Sequence, residues 1–199
     1  MKQVLTGKVP ASAVDYCVVL WEVAPFHFKI TRARSSKYGD YRFWPRTKKH
    51  QVTVNGNLNP YQFLLTYVHE VAHRRVHQNR GSEKPHGTRW KDMFKALMLP
   101  ILNEEVFPDD ILRPLARHMK NPKASAVGDP VLFTALRNHD AVKNGALTLA
   151  HLKDGSTFTL KNRTFQKIKS KRTRALCREK HTGRQYLISL MAEVNPDVH

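Results

Sequence analysis

The eighteen residues from Pro60 to His77 constrain this chain more than any others. Asn59 offers a side-chain oxygen to cap free amides and Pro60 suits the first helical position, so the spacing predicts a helix that starts there and runs to His77. Phe63, Leu64, Tyr67, Val68, Val71, Ala72 and Val76 give it enough apolar surface to sit inside a domain. His69, Glu70 and His73 fall on the same segment. At 3.6 residues per turn the two histidines lie one turn apart on one face and can give nitrogens to a single metal ion, while Glu70 sits about 100° around the helix, beside that ion and not on it. A carboxylate so placed can take a proton from zinc-bound water, whose pKa falls toward roughly 7, and return it to a leaving group. With 11 His among 199 residues, the pattern is expected by chance only about 0.02 times, so coincidence is the weaker explanation.

Two histidines leave a third protein ligand to be found. His77 shares the face of His73, but a straight helix carries it about 12 Å along the axis from His69, too far for three short bonds to one ion, and it is expected as an exposed helix-end residue. Glu104 and Glu105 are downstream carboxylates in an expected surface turn. His86 is the strongest candidate, because residues 78–85 let the chain fold back and Gly87 removes the side chain next to the ligand. Asp92 could orient a ligand histidine, although an exposed helix-surface position suits it better.

Around this segment the patterning predicts an α+β protein. Val14, Cys17, Val18 and Trp21 recur at helical spacing before Pro25; Phe26, Phe28 and Ile30 alternate with polar residues as in a strand. Tyr38-Gly39-Asp40 suggests a turn, and Tyr41–Trp44 and Gln51–Val54 two further strands of a small antiparallel sheet. Trp90, Phe94 and Leu97 mark another helix, and Asp109-Asp110 starts one that runs to Met119. Residues 121–129 have the composition of a linker, which divides the chain into a domain at 1–120 and a small, basic, β-rich module at 130–199. In that module Val131–Leu136 is a possible short helix, and Leu147–Leu152, Thr157–Leu160, Thr164–Ile168 and Tyr186–Leu190 read as strands.

His69-Glu70-x-x-His73 on a helix, followed by His86-Gly87-x-x-Trp90 opening the next and preceded by the hairpin Ser36-Lys37-Tyr38-Gly39-Asp40-Tyr41-Arg42 and the strand Gln51–Val54, resembles the SprT-like (Spartan-related) zinc metallopeptidase family. The likeness spans roughly residues 10 to 105. It implies a minimal zincin-like domain holding one zinc ion on His69, His73 and His86, with Glu70 as general base, that cuts proteins gathered on or crosslinked to DNA. Many members of the family carry a C-terminal four-cysteine zinc ribbon. This chain has only Cys17 and Cys177, so neither a second structural zinc nor the DNA contact of that ribbon follows from the resemblance.

The net charge of +18 is concentrated in two runs. Residues 161–184 hold ten Lys and Arg against Glu179 alone, and residues 29–49 hold eight against Asp40, interleaved with Tyr38, Tyr41, Phe43 and Trp44. Cations that meet phosphates beside rings that stack on bases suit single-stranded or frayed DNA without sequence preference. The residues expected to carry such contacts are Arg42, Trp44, Lys48, Lys49, Lys167, Lys169, Lys171, Arg172 and Arg174. No apolar run approaches the roughly 20 residues of a membrane span and the N-terminus lacks a secretory pattern, so no membrane partner and a cytoplasmic location, nucleoid-associated in a bacterium, are expected.

These features predict a zinc-dependent endopeptidase acting on DNA-associated proteins. The alternative is a non-enzymatic DNA-associated or regulatory protein whose zinc is structural, and the carboxylate between the histidines weighs against it, since a purely structural site has no use for one.

Overall fold

In the computed structural model of this chain, Asn59 caps as its position predicts: its Oδ1 accepts from the Gln62 N–H at 2.9 Å, and helix α3 then runs Pro60–His77. The structure describes residues 1–34, 36–77, 85–140, 147–171 and 173–196. They form an α+β protein in two units, Met1–Asp140 and Ala141–His199, each with its own buried core.

The first unit is built around α3. Before it come α1 (Lys2–Leu5), α2 (Val14–Val23) and three strands, β1 (His27–Thr31), β2 (Gly39–Trp44) and β3 (Lys49–Asn55); after it come α4 (Thr88–Met98), α5 (Asp109–Met119) and α6 (Pro130–Arg137). Phe63, Leu64, Tyr67, Val68, Val71 and Ala72 are fully buried on α3. The Phe28 ring meets Phe63 and Tyr67 edge-on at 6.4 and 5.4 Å, so the sheet packs on the helix, and the Tyr67 hydroxyl donates to the Cys17 carbonyl of α2 at 2.9 Å.

The three-stranded sheet has the order β1-β3-β2 and is mixed, which corrects the expectation of an antiparallel sheet. β2 pairs antiparallel with β3, but β1 pairs with β3 in parallel, His27 opposite Gln51 and Thr31 opposite Asn55. Alternation along a strand shows which residues share a face and is blind to the direction of the neighbouring strand. β3 takes the centre because its Val52 and Val54 are fully buried. Gly39 and Asp40 also depart from expectation, being strand residues and not a turn.

The boundary between units is the second correction. Leu132, Ala135 and Leu136 of α6 lie in the core of the first unit, and the Asn59 amide donates to the Leu136 carbonyl and to Asp140, both at 2.7 Å. The expected linker is itself tied down: Asp129 caps α6 through the Leu132 N–H and pairs with His118 at 3.1 Å. The unit therefore ends near residue 140, and α6 is no part of the β module.

The second unit is an antiparallel sheet of order β4-β9-β5-β6-β7-β8, from β4 (Leu147–Thr148), β5 (Thr157–Leu160), β6 (Arg163–Ser170), β7 (Arg174–Glu179), β8 (Gln185–Ser189) and β9 (Glu193–Pro196). Lys161 and Asn162 adopt φ of 50° and 61°, the left-handed pair of a tight hairpin turn between β5 and β6. Leu149, Phe158, Phe165, Ala175, Cys177 and Val194 form its core. Among the described residues, no helix is long and apolar enough to cross a membrane.

Candidate metal centre

His69 and His73 come from successive turns of α3, and His86 reaches them from the chain that leads into α4. Their three Nε2 atoms form a triangle with sides of 3.2 Å (His69 to His73), 2.9 Å (His73 to His86) and 3.1 Å (His86 to His69). Hydrogen bonds cannot account for it, because a neutral imidazole nitrogen either donates or accepts and three of them cannot satisfy one another around a ring. A cation can. Tetrahedral zinc with bonds of about 2.0–2.1 Å holds its nitrogens about 3.3 Å apart, close to the spacing found. The triad is thus near enough to hold one metal ion.

The chain is strained to make it so. His86 has φ of 65°, in the left-handed region that side chains other than glycine rarely occupy. Gly87 follows as the N-cap of α4, and the His86 ring hydrogen-bonds the Pro85 carbonyl, which fixes its orientation. Trp90, one turn into α4, is 2% exposed and touches all three imidazoles, with centroids 4.6 Å from His69, 5.4 Å from His73 and 4.6 Å from His86. Phe94 stacks behind it at 4.9 Å. Burial pushes the three imidazole pKa values down, His73 to about 4, with the neighbouring imidazoles adding to the effect at His69 and His73. All three are neutral near pH 7, the form that binds metal.

Glu70 is 6% exposed and lies against β2. A Cβ on Gly39 would stand 2.5 Å from the Glu70 Oε1 and 2.7 Å from the Thr66 methyl, so only glycine lets the strand approach the helix this closely. The Tyr41 backbone N–H donates to the Glu70 carboxylate. Burial, and secondarily Asp40, raise the Glu70 pKa to about 8, although that hydrogen bond and the charges of Arg34 and Lys37 pull the other way.

The known protein families, characterised proteins and solved structures include no match to this chain.

The other candidate ligands lie elsewhere. Glu104, Glu105 and Asp92 are exposed. His77 is half-buried, contrary to its expected exposure, because its ring packs on Phe43 at 4.2 Å and His50 at 5.4 Å. Of the residues expected at nucleic acid, Arg42, Trp44, Lys48 and Lys49 are exposed around β2 and β3, and the Arg42 guanidinium lies 5.8 Å from the Trp44 ring centre. Lys169, Lys171 and Arg174 are exposed on the second unit, and Arg172 lies outside the described residues. Lys167 is the exception. It is 2% exposed, and its ammonium donates to the Leu149 and Leu152 carbonyls at 3.1 and 2.6 Å, so it serves the core and not a ligand. Two residues of the centre carried no functional expectation: Gly39, hidden in an apparent turn, and Trp90, whose spacing from His86 by one helical turn was the available signal.

Proposed function

We propose that this chain is a zinc-dependent endopeptidase of SprT-like type that acts on DNA-associated proteins, including those crosslinked to DNA. The observation that carries the reading is the triangle of Nε2 atoms with a buried carboxylate on the adjoining helix position. Zinc, when bound by His69, His73 and His86, supplies Lewis acidity toward a carbonyl oxygen and makes its water a nucleophile near neutral pH. Glu70 accepts the proton of the attacking water on a carboxylate oxygen and passes it to the leaving amine. Burial raises the Glu70 pKa in the metal-free chain, and the positive charge of a bound ion would lower it again toward the working range, where a base both takes and returns a proton. The Tyr41 N–H and the close wall at Gly39 hold the carboxylate in place while it does so.

Among the described residues β2 is an edge strand, with β3 on one side only. An extended substrate chain laid along that edge would gain main-chain hydrogen bonds with little dependence on side chains, which would make substrate choice broad. Selectivity would then come from proximity on DNA, through the exposed cations of both units. A purely structural zinc leaves unexplained why a carboxylate is kept in a buried position that raises its pKa.

The test is to measure zinc in the purified chain and compare it with Glu70→Gln for cleavage of a DNA-binding protein, with and without single-stranded DNA. Stoichiometric zinc in both and cutting only by the unaltered chain is expected. Zinc-loaded protein that cuts nothing in a Glu70-dependent way overturns the reading.

A further inference from the structure

The sheet of the first unit has two faces with different tasks. Phe28, Ile30, Val52, Val54, Tyr41 and Phe43 turn toward α3, where they join its core or its His77 ring. Strand alternation therefore puts His27, Gln51, Arg42 and Trp44 on the opposite face. The register lines them up, with Arg42 opposite Gln51, Gln51 opposite His27, and Trp44 opposite Lys49 one step along.

At that end of the sheet lies a cavity of about 670 Å³. Pro25, Phe26 and Trp44 give it apolar walls, and Lys48 of the β2–β3 turn and Lys49 at the start of β3 stand at it. Among the described residues no carboxylate lines it. Lys48 holds φ of 51°, so the turn bends through a left-handed residue. Among its lining residues the Gln51 amide bonds the His27 Nδ1 at 2.8 Å. With that one contact made, the Gln51 amide keeps a carbonyl acceptor and an N–H donor, and the His27 ring keeps its second nitrogen.

An exposed indole, two cations and an amide with spare donor and acceptor capacity make up the chemistry of one nucleotide: a flat ring to stack, a phosphate, and a base edge that accepts and donates. The volume lies within the range of small-ligand pockets, about 300–1,000 Å³. A duplex base is already stacked and paired, so the ligand must offer an unstacked one. We propose that this cavity binds a single nucleotide of single-stranded DNA, with the base on Trp44, its edge toward Gln51 and its phosphates at Lys48 and Lys49. The proposal rests on the reading above that the chain works at DNA, and it places a contact on the same unit as the metal centre.

The experiment uses the full chain with a fluorescein-labelled dT oligonucleotide, following anisotropy and tryptophan emission. Binding should quench tryptophan emission. Trp44→Ala should weaken binding about tenfold, as loss of one stacked base does, and Trp44→Phe should keep most of the affinity while losing the quench. Lys48→Ala with Lys49→Ala should flatten the slope of log affinity against log salt by about 1.4, the value for two phosphate contacts on a single strand. Circular dichroism confirms that each variant folds. Unchanged affinity and quench in Trp44→Ala, an unchanged slope in the double variant, or equal affinity for duplex and single strand each overturn the proposal. Cleavage of a denatured protein without DNA, by the unaltered chain and not by Glu70→Gln, reads the peptidase separately, so either can fail while the other stands.

Discussion

Glu70 and the three histidines titrate in opposite senses. The folded-state pKa of Glu70, about 8, is raised above its ordinary 4.5, so folding favours the protonated acid: that stability is present below about pH 4.5 and lost as pH rises through 8. Removing the charge should therefore help the metal-free chain in base. Glu70→Gln is expected to melt on the order of 5 °C higher than the unaltered chain at pH 9, with little difference at pH 5, by differential scanning calorimetry in EDTA. The histidines are depressed, so their share is present above the ordinary 6.5 and lost as pH falls, down to about 4 for His73. Gly39 supplies the other prediction at this scale. Gly39→Ala drives a methyl into the Glu70 carboxylate and the Thr66 methyl, and it should cut kcat by about a hundredfold or more while zinc content stays stoichiometric. Gly39 does not show its role in sequence and Trp90 shows no more than its spacing from His86, because each role depends on a neighbour from another element, whereas His69, Glu70 and His73 lie within two turns of one helix.

Elements were legible where one residue type dominates a face. α3 has the bounds expected of it, since Asn59, Pro60 and a continuous apolar stripe all agree. β7 and β9 were not, and β7 shows why: its inward residues are Ala175, Cys177 and Glu179, small or charged, so no apolar alternation marks it. Glu179 can lie inside because Arg163 pairs with it at 2.5 Å. Lys167 defeats the pattern in the same way on β6, as a charge on the buried side of the strand. Lys167→Met would strip the buried Leu149 carbonyl and the part-buried Leu152 carbonyl of their donor, and it should cost about 2 kcal/mol in urea unfolding with no change in oligonucleotide affinity. Lys169→Ala, two residues on and exposed, should change stability by less than about 0.5 kcal/mol.

For the molecule as a whole, composition misplaces the division between units. Residues 121–129 look like a linker because they are rich in small and polar residues, yet the same residue types cap turns and helices, as Ser125 and Asp129 do here. A fragment of residues 1–140 is expected to fold and bind one zinc ion. A fragment of residues 1–129, which lacks Leu132, Leu136 and the partners of Asn59, should melt at least about 5 °C lower, as circular dichroism would show.

The third histidine comes from a different stretch of chain from the other two, so an ion held by all three is also a cross-link. It fastens α3 to the start of α4 and closes the polypeptide between His73 and His86 into a ring, as a disulfide would, but with a reversible bond. A disulfide responds to redox poise; this closure responds to free metal, and each tenfold rise above the dissociation constant adds about 1.4 kcal/mol to the stability of the first unit. Scarcity of metal would then withdraw the chemistry and loosen the fold together, leaving an unloaded chain easier to degrade than a loaded one.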